Sequence, residues 1–188
     1  MRGVRPALLV VDMLNDFLYG SLACEHCREI VPRIRRLIEI ARRVGAPVIF
    51  VNDSHEPGVD RELGMWGPHA VRGSWGSRVV DELDLGYGYT VFKRRYSGFF
   101  ETDLDLLLRE LGIDTLVVTG IHTHICVLFT VADAVFRGYS VAVVRDCVAA
   151  FDREWHEKTL EYMQRFLGVE IVDSGRAEKI LESYSPRS

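Results

Sequence analysis

The sequence predicts an α/β fold of three layers, with helices on both faces of a doubly wound, mainly parallel sheet of six strands. Short β-rich segments alternate with amphipathic segments along the whole chain, which is typical of right-handed βαβ units. The β-rich segments are apolar at consecutive positions, which indicates strands that are covered on both faces. A length of 188 residues, 48% of them hydrophobic, is enough for one domain over residues 1–188 with one sizeable core.

Six segments rich in Val, Ile or Leu are predicted as strands, because each becomes polar only at its end. In chain order these strands are residues 7–12, 47–52, 89–93, 115–120, 140–146 and 169–172.

Four amphipathic segments are predicted as helices. In the first, apolar residues fall at helical spacing from Ile30 to Ala41, Pro32 is acceptable in the first turn, and Gly45 ends the helix. The other three are predicted over 102–111 with Thr102 as the N-cap, over 126–138 up to Gly138, and over 154–168 up to Gly168.

Composition and charge exclude two classes of partner. The net charge of −4 comes from acidic and basic residues mixed along the chain, so no basic face is available to nucleic acid. The N-terminal apolar run over residues 6–11 is too short for a secretory signal or a membrane span. We therefore expect a cytoplasmic protein without nucleic-acid or membrane partners.

The four cysteines do not form the framework of a small disulfide-rich protein. The CEHC segment at 24–27 has the spacing of a redox pair or of half a zinc site, but no second such pair follows it. Structural or incidental thiols are the favoured interpretation of Cys24 and Cys27, and a local disulfide is the alternative.

Polar side chains lie at or just past the ends of the first four predicted strands: Asp12, Asp53, Lys93 and Cys126. Ligands of open α/β sheets bind at the carboxyl ends of the strands, so these four residues are expected at one edge. Cys126 opens a predicted helix, where unpaired N–H groups and the helix dipole favour a thiolate. With Asp12 as the proton carrier, the predicted chemistry is acyl transfer through a thioester.

The long segment 52–76 carries a second group of candidate residues. Asp53 and His55 are two residues apart and leave the same face of an extended chain, and His69 follows in the sequence WGPH. One carboxylate and two imidazoles are suitable zinc ligands, and Glu62 is either a candidate fourth ligand or a solvated charge.

Each of these residues also has a purely structural explanation. Asp12 could cap a helix or a loop, and Lys93 could be a solvated charge. Cys126 could be a small buried side chain. Their expected meeting at one sheet edge favours a site over the three separate explanations.

Three segments carry a family resemblance: Asp12 after the first strand, VFKRRYSGFF with Lys93, and GIHTHICV with Cys126. They resemble the Asp–Lys–Cys triad of the cysteine hydrolases in the isochorismatase-like superfamily, and the similarity covers nearly the whole chain. The expected fold is therefore the isochorismatase-like hydrolase fold.

Within that superfamily, Asp53, His55, His69 and the WGPH motif resemble the nicotinamidases. The resemblance implies a small-molecule amide substrate, nicotinamide, which is converted to nicotinic acid and ammonia in NAD salvage. It also implies a divalent metal as the cofactor, expected to be zinc.

The resemblance further implies roles in the substrate pocket. Phe17 and Trp66 would flank the substrate ring, and Ile121 and His122 would line the pocket, joined by a cis peptide bond. The backbone N–H groups of His122 and Cys126 would form the oxyanion hole.

His122 and His124 depart from the pattern of the relatives, which leaves the choice of amide open. One alternative is a metal-independent cysteine hydrolase of another small amide, carbamoyl compound or ureide. A third hypothesis is a non-catalytic binding or thiol-redox protein in which CEHC acts and Cys126 is inert. We also expect a homo-oligomer, with Tyr87 or Phe99 as candidate exposed contacts.

Overall fold

Six parallel strands form one sheet in the order β3-β2-β1-β4-β5-β6. The computed structural model describes residues 4–185 of the domain predicted over 1–188. The doubly wound parallel sheet predicted from the sequence is confirmed, and no strand end differs from its predicted position by more than three residues. The strands are Pro6–Val11 (β1), Val48–Asp53 (β2), Tyr89–Lys93 (β3), Thr115–Ile121 (β4), Ser140–Ala149 (β5) and Glu170–Val172 (β6).

Helices connect and flank the strands. No helix within residues 4–185 has both the length and the apolar composition that a membrane span needs. A 3-10 helix, Glu25–Ile30, precedes α2, and one turn of π-helix, Thr123–Val127, precedes α5. The α-helices are Asn15–Leu18 (α1), Val31–Val44 (α2), Glu62–Trp66 (α3), Leu104–Glu110 (α4), Leu128–Phe136 (α5), Arg153–Leu167 (α6) and Ser174–Glu182 (α7).

The side chains of β1 show why the fold has three layers. Leu8 and Val10 belong to one buried cluster, to which α2 and α7 contribute, whereas Leu9 and Val11 belong to a second cluster with α4, α5 and α6. Successive residues of a strand face opposite sides of the sheet. A strand that is apolar at every position is therefore stable only when helices cover both faces.

The strand order reverses at β1, with β2 and β3 on one side and β4, β5 and β6 on the other. The carboxyl ends of β1 and β4 therefore border a topological switch point, where ligands of open α/β sheets bind. Val11, the last residue of β1, pairs with Gly120 of β4. Asp12 and the segment that follows Ile121 consequently leave the sheet side by side.

Two predicted helix starts differ from the structure. Asp103 directly precedes α4 but makes no side-chain cap hydrogen bond, whereas the Thr102 hydroxyl accepts a 3.3 Å hydrogen bond from the Leu104 N–H, the capping contact expected of it, and donates a 2.6 Å bond to the Gly98 carbonyl. The helix predicted from Cys126 begins earlier, since the π-turn over Thr123–Val127 precedes α5. Gly45 does end α2 as predicted, in a left-handed conformation with φ of 75°.

Two side-chain predictions are also wrong. Cys24 and Cys27 are joined by a disulfide with a Cα–Cα distance of 5.2 Å. The favoured interpretation as free thiols is therefore wrong, and the alternative of a local disulfide is correct. Phe99 is buried, and Tyr87 is half-buried with its hydroxyl donating to the Ala46 carbonyl. Neither is an exposed contact, and the homo-oligomer stays a prediction.

Gly120 allows β1 and β4 to approach closely at the switch point. Its φ is +112°, and a Cβ atom there would lie 2.0 Å from the Val11 carbonyl oxygen. We expect Gly120→Ala to lower the free energy of unfolding by about 2–6 kcal/mol, because backbone strain and overpacking each cost about 1–3 kcal/mol. Urea unfolding followed by circular dichroism measures this loss.

Gly45→Ala is the matched control, because Gly45 also has a positive φ, +75°, but no atom lies within 4 Å of a Cβ built on it. This control should lose only about 1–2 kcal/mol, the cost of a left-handed conformation. Equal losses in the two variants would contradict the importance of the close approach.

Candidate active site

Four side chains from the strand ends meet at the carboxyl edge of the sheet. Asp12 directly follows β1, and Asp53 and Lys93 end β2 and β3 in register with each other. Cys126 lies in the π-turn after β4. Asp12 has a left-handed backbone with φ of 52°, and its Oδ1 accepts a 2.7 Å hydrogen bond from the backbone N–H of Asp53.

Lys93 lies at the centre of this group, and its side chain is 0% exposed. Its Nζ is 2.8 Å from Asp12 Oδ2 and 2.5 Å from Asp53 Oδ1. The same atom is 3.5 Å from Cys126 Sγ. A buried ammonium is stable only with close counter-charges, and the two carboxylates supply them. The explanation of Lys93 as a solvated charge is therefore wrong.

Burial and neighbouring charges set the protonation of these residues. Burial, followed by the charge of Asp53, raises the pKa of Asp12 to about 6. Burial opposes the charge of Lys93, but the two carboxylates outweigh burial and raise the Lys93 pKa. Burial also opposes ionisation of Asp53, but the charge of Lys93 and the contacts with His55 prevail and lower the Asp53 pKa. The Asp12 carboxyl group therefore titrates nearer to neutral pH than an ordinary aspartate.

The Cys126 thiol differs from the expectation based on the sequence. Burial raises its pKa well above the ordinary value, and the opposing charge of Lys93 does not compensate. Burial thus outweighs the preference for a thiolate that the helix N-terminus was expected to give, and the transfer of the thiol proton to Asp12 stays a prediction. A nucleophilic Cys126 needs a base that takes its proton during attack, and the carboxyl group of Asp12 is within hydrogen-bonding reach.

A cavity of about 310 Å³ opens onto Asp12 and Cys126. The structure places all four residues predicted for the substrate pocket in its wall. These predicted residues are Phe17, Trp66, Ile121 and His122. The wall also contains Ser21, Leu22, Ala23, Asp53, Glu62, His69, Tyr96, Ile125 and Phe151.

Sequence reasoning missed the two aromatic wall residues Tyr96 and Phe151. The Tyr96 hydroxyl accepts a 3.0 Å hydrogen bond from Trp66 Nε1, and the Phe151 ring lies 6.2 Å from the Trp66 ring between centroids. Tyr96 follows β3 and Phe151 follows β5. The strand-end rule that predicted the polar residues finds both when it is applied to aromatic residues as well.

His122 contributes a neutral imidazole to the cavity. Burial lowers its pKa to about 3, and its peptide bond with Ile121 is cis, as predicted. The ring packs edge-on against Phe17 and Phe151 at centroid distances of 6.0 and 5.0 Å. The ring centroid of His124 lies 4.8 Å from that of Phe151, but His124 does not line the cavity. Of the two unusual histidines, only His122 is positioned to touch a substrate.

Asp53, His55 and His69 form a second group at the same cavity. One ligand atom of each lies within 4.8 Å of the other two, and all three residues are buried. Within residues 4–185, Nε2 of His55 is buried without a hydrogen-bond partner. An unpaired buried imidazole nitrogen is costly unless it binds something. The donor set and this unpaired nitrogen fit a zinc ion.

Two acidic side chains flank His55. Oε2 of Glu62 lies 3.8 Å from His55 Nε2, on the side of the ring that faces the ligand set. Oδ2 of Asp60 lies 3.3 Å from Nδ1 on the other side. Hydrogen bonds from Arg94 hold the Asp60 pKa well below its usual range. Glu62 thus lies beside His55 but outside the group formed by Asp53, His55 and His69, so its role as a fourth ligand stays a prediction. Asp60 is a residue that sequence reasoning missed.

The family model described as Isochorismatase domain matches residues 6–174. The chain belongs to the isochorismatase family. The match includes every strand of the sheet, and with it each residue of the site described above. In this isochorismatase-family hydrolase, Asp12, Lys93 and Cys126 therefore all belong to the family domain.

Three solved structures resemble this isochorismatase-family protein along most of its length. N-carbamoylsarcosine amidase from Thermoplasma acidophilum is 44% identical, with coverage of 91% and 97% of the two chains and a TM-score of 0.84. Nicotinamidase/pyrazinamidase PncA from Bacillus subtilis is 32% identical, with coverage of 90% and 100% and a TM-score of 0.85. Pyrazinamidase of Pyrococcus horikoshii in complex with zinc is 32% identical, with coverage of 90% and 99% and a TM-score of 0.83.

Lys93→Met removes the charge that the two carboxylates share while keeping most of the side-chain volume. Breaking a buried ion pair by removing one partner costs about 3–5 kcal/mol. We expect a loss of that size in the free energy of unfolding, measured by guanidinium denaturation. Lys158→Met is the matched control, because Lys158 pairs with Glu154 at the exposed surface and should not matter for stability. A Lys93→Met protein as stable as this control would disprove the central role of the ammonium.

Alkylation of Cys126 by iodoacetamide should be slow near neutral pH and should keep accelerating above about pH 9, since only the thiolate reacts. Mass spectrometry of the labelled peptide gives the rate, and Cys126→Ser identifies the signal. Cys147 should stay unlabelled, because it is fully buried and burial raises its pKa to about 12. A labelling rate that is already constant below about pH 8 would be inconsistent with the raised Cys126 pKa.

Proposed function

We propose that this protein hydrolyses nicotinamide to nicotinic acid and ammonia through a thioester on Cys126, assisted by a divalent metal that we expect to be zinc. This activity would feed NAD salvage. The observation that carries the proposal is that one cavity is shared by Asp12 and Cys126 on the one hand and by Asp53 and His69 on the other. A nucleophile and a metal ligand set that share one cavity can act on the same small molecule.

The three candidate ligands are each left with one free donor atom. Asp53 uses Oδ1 for Lys93, so its Oδ2 remains, 3.6 Å from His55 Nε2. His69 uses Nδ1 for the Gly67 carbonyl at 2.8 Å, so its Nε2 remains. Burial lowers the His69 pKa and keeps the ring neutral, as a metal ligand must be. Zinc bound there would supply a Lewis acid that holds a heteroatom of the substrate ring.

The protein's own residues carry the proton transfers. Asp12 takes the Cys126 proton as Sγ bonds to the carboxamide carbon. The carbonyl oxygen becomes negative and is stabilised by the backbone N–H groups of His122 and Cys126. When the C–N bond breaks, Asp12 returns the proton to the leaving nitrogen, and ammonia departs. Water then attacks the thioester, gives up a proton to Asp12, and releases nicotinic acid and the thiol.

Lys93 takes no proton in this sequence. Its contacts at 2.8 Å to Asp12 and 3.5 Å to Cys126 keep the base and the nucleophile at a fixed separation. The positive charge also stabilises whichever of the two is negative at each stage. The proton therefore moves between two groups that share one counter-charge.

The cavity lining favours an uncharged aromatic amide as the substrate. Phe17, Trp66, Tyr96 and Phe151 supply aromatic surface, and no arginine or lysine of residues 4–185 lines the cavity. N-carbamoylsarcosine carries a carboxylate, which would face the acidic side chains of the wall without a lysine or arginine of residues 4–185 to pair with it. The 44% identity to an N-carbamoylsarcosine amidase still makes that compound the second candidate.

Ammonia release from nicotinamide tests the proposed reaction directly. We expect release by the zinc-loaded protein and a loss of about 10³-fold or more in Cys126→Ala, because removing the nucleophile removes the thioester route. Chelation should abolish release, and added zinc should restore it. Cys147→Ala is the matched control, since Cys147 is the other free thiol and is buried outside the cavity.

Other outcomes favour the other candidates. Release that survives chelation would support the metal-independent hydrolase and leave Asp53, His55 and His69 with structural roles. A higher kcat/KM for N-carbamoylsarcosine than for nicotinamide would contradict the aromatic substrate. Equal activity in Cys126→Ala and the native protein would disprove the thioester mechanism.

A further inference from the structure

We infer that Asp60 is a positioning residue of the metal site, which holds the ring of His55 through Nδ1 so that Nε2 faces the ligand set. The inference rests on the metal part of the proposed function. It concerns a residue outside the cavity wall that does not touch the substrate.

The His55 ring lies between two sets of carboxylates. On one side, Nδ1 is 3.3 Å from Asp60 Oδ2, and both side chains are 0% exposed. On the other side, Nε2 is 3.6 Å from Asp53 Oδ2 and 3.8 Å from Glu62 Oε2. A proton on Nδ1 that is donated to Asp60 leaves the lone pair of Nε2 for a metal ion.

Asp60 is itself held in place by several donors. The Arg94 guanidinium donates to both oxygens of Asp60, from Nη2 to Oδ1 at 2.6 Å and from Nε to Oδ2 at 3.1 Å. The backbone N–H of Glu56 donates to Oδ2 at 2.7 Å. Paired hydrogen bonds of a guanidinium fix both the position and the plane of a carboxylate. Asp60 can therefore fix the orientation of His55 in turn.

Arg94 also links the metal site to the nucleophile. It directly follows Lys93 at the end of β3, so consecutive residues bind Asp60 and the pair Asp12 and Asp53. At the end of β3, Lys93 thus contacts Asp53 directly, whereas Arg94 supports His55 through Asp60. Asp60 has a competing explanation as a plain anchor of the loop before α3, and the experiment must separate the two.

Asp60→Asn keeps the shape of the side chain and removes its charge. We expect the zinc affinity of the purified protein to fall about 10–100-fold, the usual loss when a partner of a metal-ligating histidine is changed. Competition with a chromophoric chelator measures this affinity, and the visible spectrum of the cobalt-loaded protein reports the ligand geometry. The spectrum should change in Asp60→Asn, which a residue that only anchors a loop would not cause.

Asp146→Asn is the matched control, because Asp146, although half-buried where Asp60 is fully buried, is a carboxylate that likewise accepts hydrogen bonds, from the N–H and the hydroxyl of Ser174 at 2.8 and 2.7 Å. It should keep the native zinc affinity and cobalt spectrum even if its thermal stability falls. Arg94→Gln provides a second test if Asp60→Asn does not fold. This variant leaves Asp60 present but less firmly held, so it should weaken zinc binding in the same direction.

Two failures are distinguishable. A folded Asp60→Asn protein with native zinc affinity and spectrum would overturn the role of Asp60 and leave the proposed amidase standing. The same holds for native affinity in Arg94→Gln where Asp60→Asn is unfolded. A native protein that binds no zinc would overturn the metal part of the proposed function together with this inference.

Discussion

The ion pairs of Lys93 with Asp12 and Asp53 are the interaction on which the rest of the site depends. A fully buried ammonium without close counter-charges would be unstable, so the ends of β1, β2 and β3 must lie where the two carboxylates reach it. This requirement places Asp12, the proposed base, next to Cys126, the proposed nucleophile, and Asp53 next to both. The aromatic walls and the loop that carries His69 are arranged around that fixed centre.

Burial of the same residues also determines when Asp12 and Cys126 gain or lose a proton. It raises the pKa of Asp12 to about 6 and that of Cys126 well above its ordinary value, so the thiol keeps its proton until a substrate needs a nucleophile. A permanently ionised thiol in an accessible pocket would react with oxidants and other electrophiles. Burial thus favours the protonated thiol and leaves proton transfer to the adjacent Asp12 carboxyl group in the proposed reaction.

Much of the fold and part of the site could be predicted from the sequence, for identifiable reasons. Consecutive apolar residues reveal parallel strands, and the rule that ligands bind at strand ends brings Asp12, Asp53 and Lys93 together without any structure. The π-turn at Cys126, the Cys24–Cys27 disulfide and the contact of Asp60 with His55 were not predicted. Each depends on local backbone geometry or on partners distant in sequence, which hydrophobic periodicity does not record. The raised pKa of the Cys126 thiol was missed for a related reason, because burial outweighs the helix terminus.

The two carboxylate oxygens of Asp53 have different contacts, and this difference has an evolutionary consequence. One oxygen serves the ammonium and the other is left for the ligand set. If the proposed ion binds there, mutations of His55 or His69 would remove it while Cys126 keeps its contact with Lys93, so a lineage could change toward chemistry without metal. A mutation of Asp53 would damage both functions at once. New activities are therefore expected to evolve on this fold more easily by substitution of His55 or His69 than by substitution of Asp53.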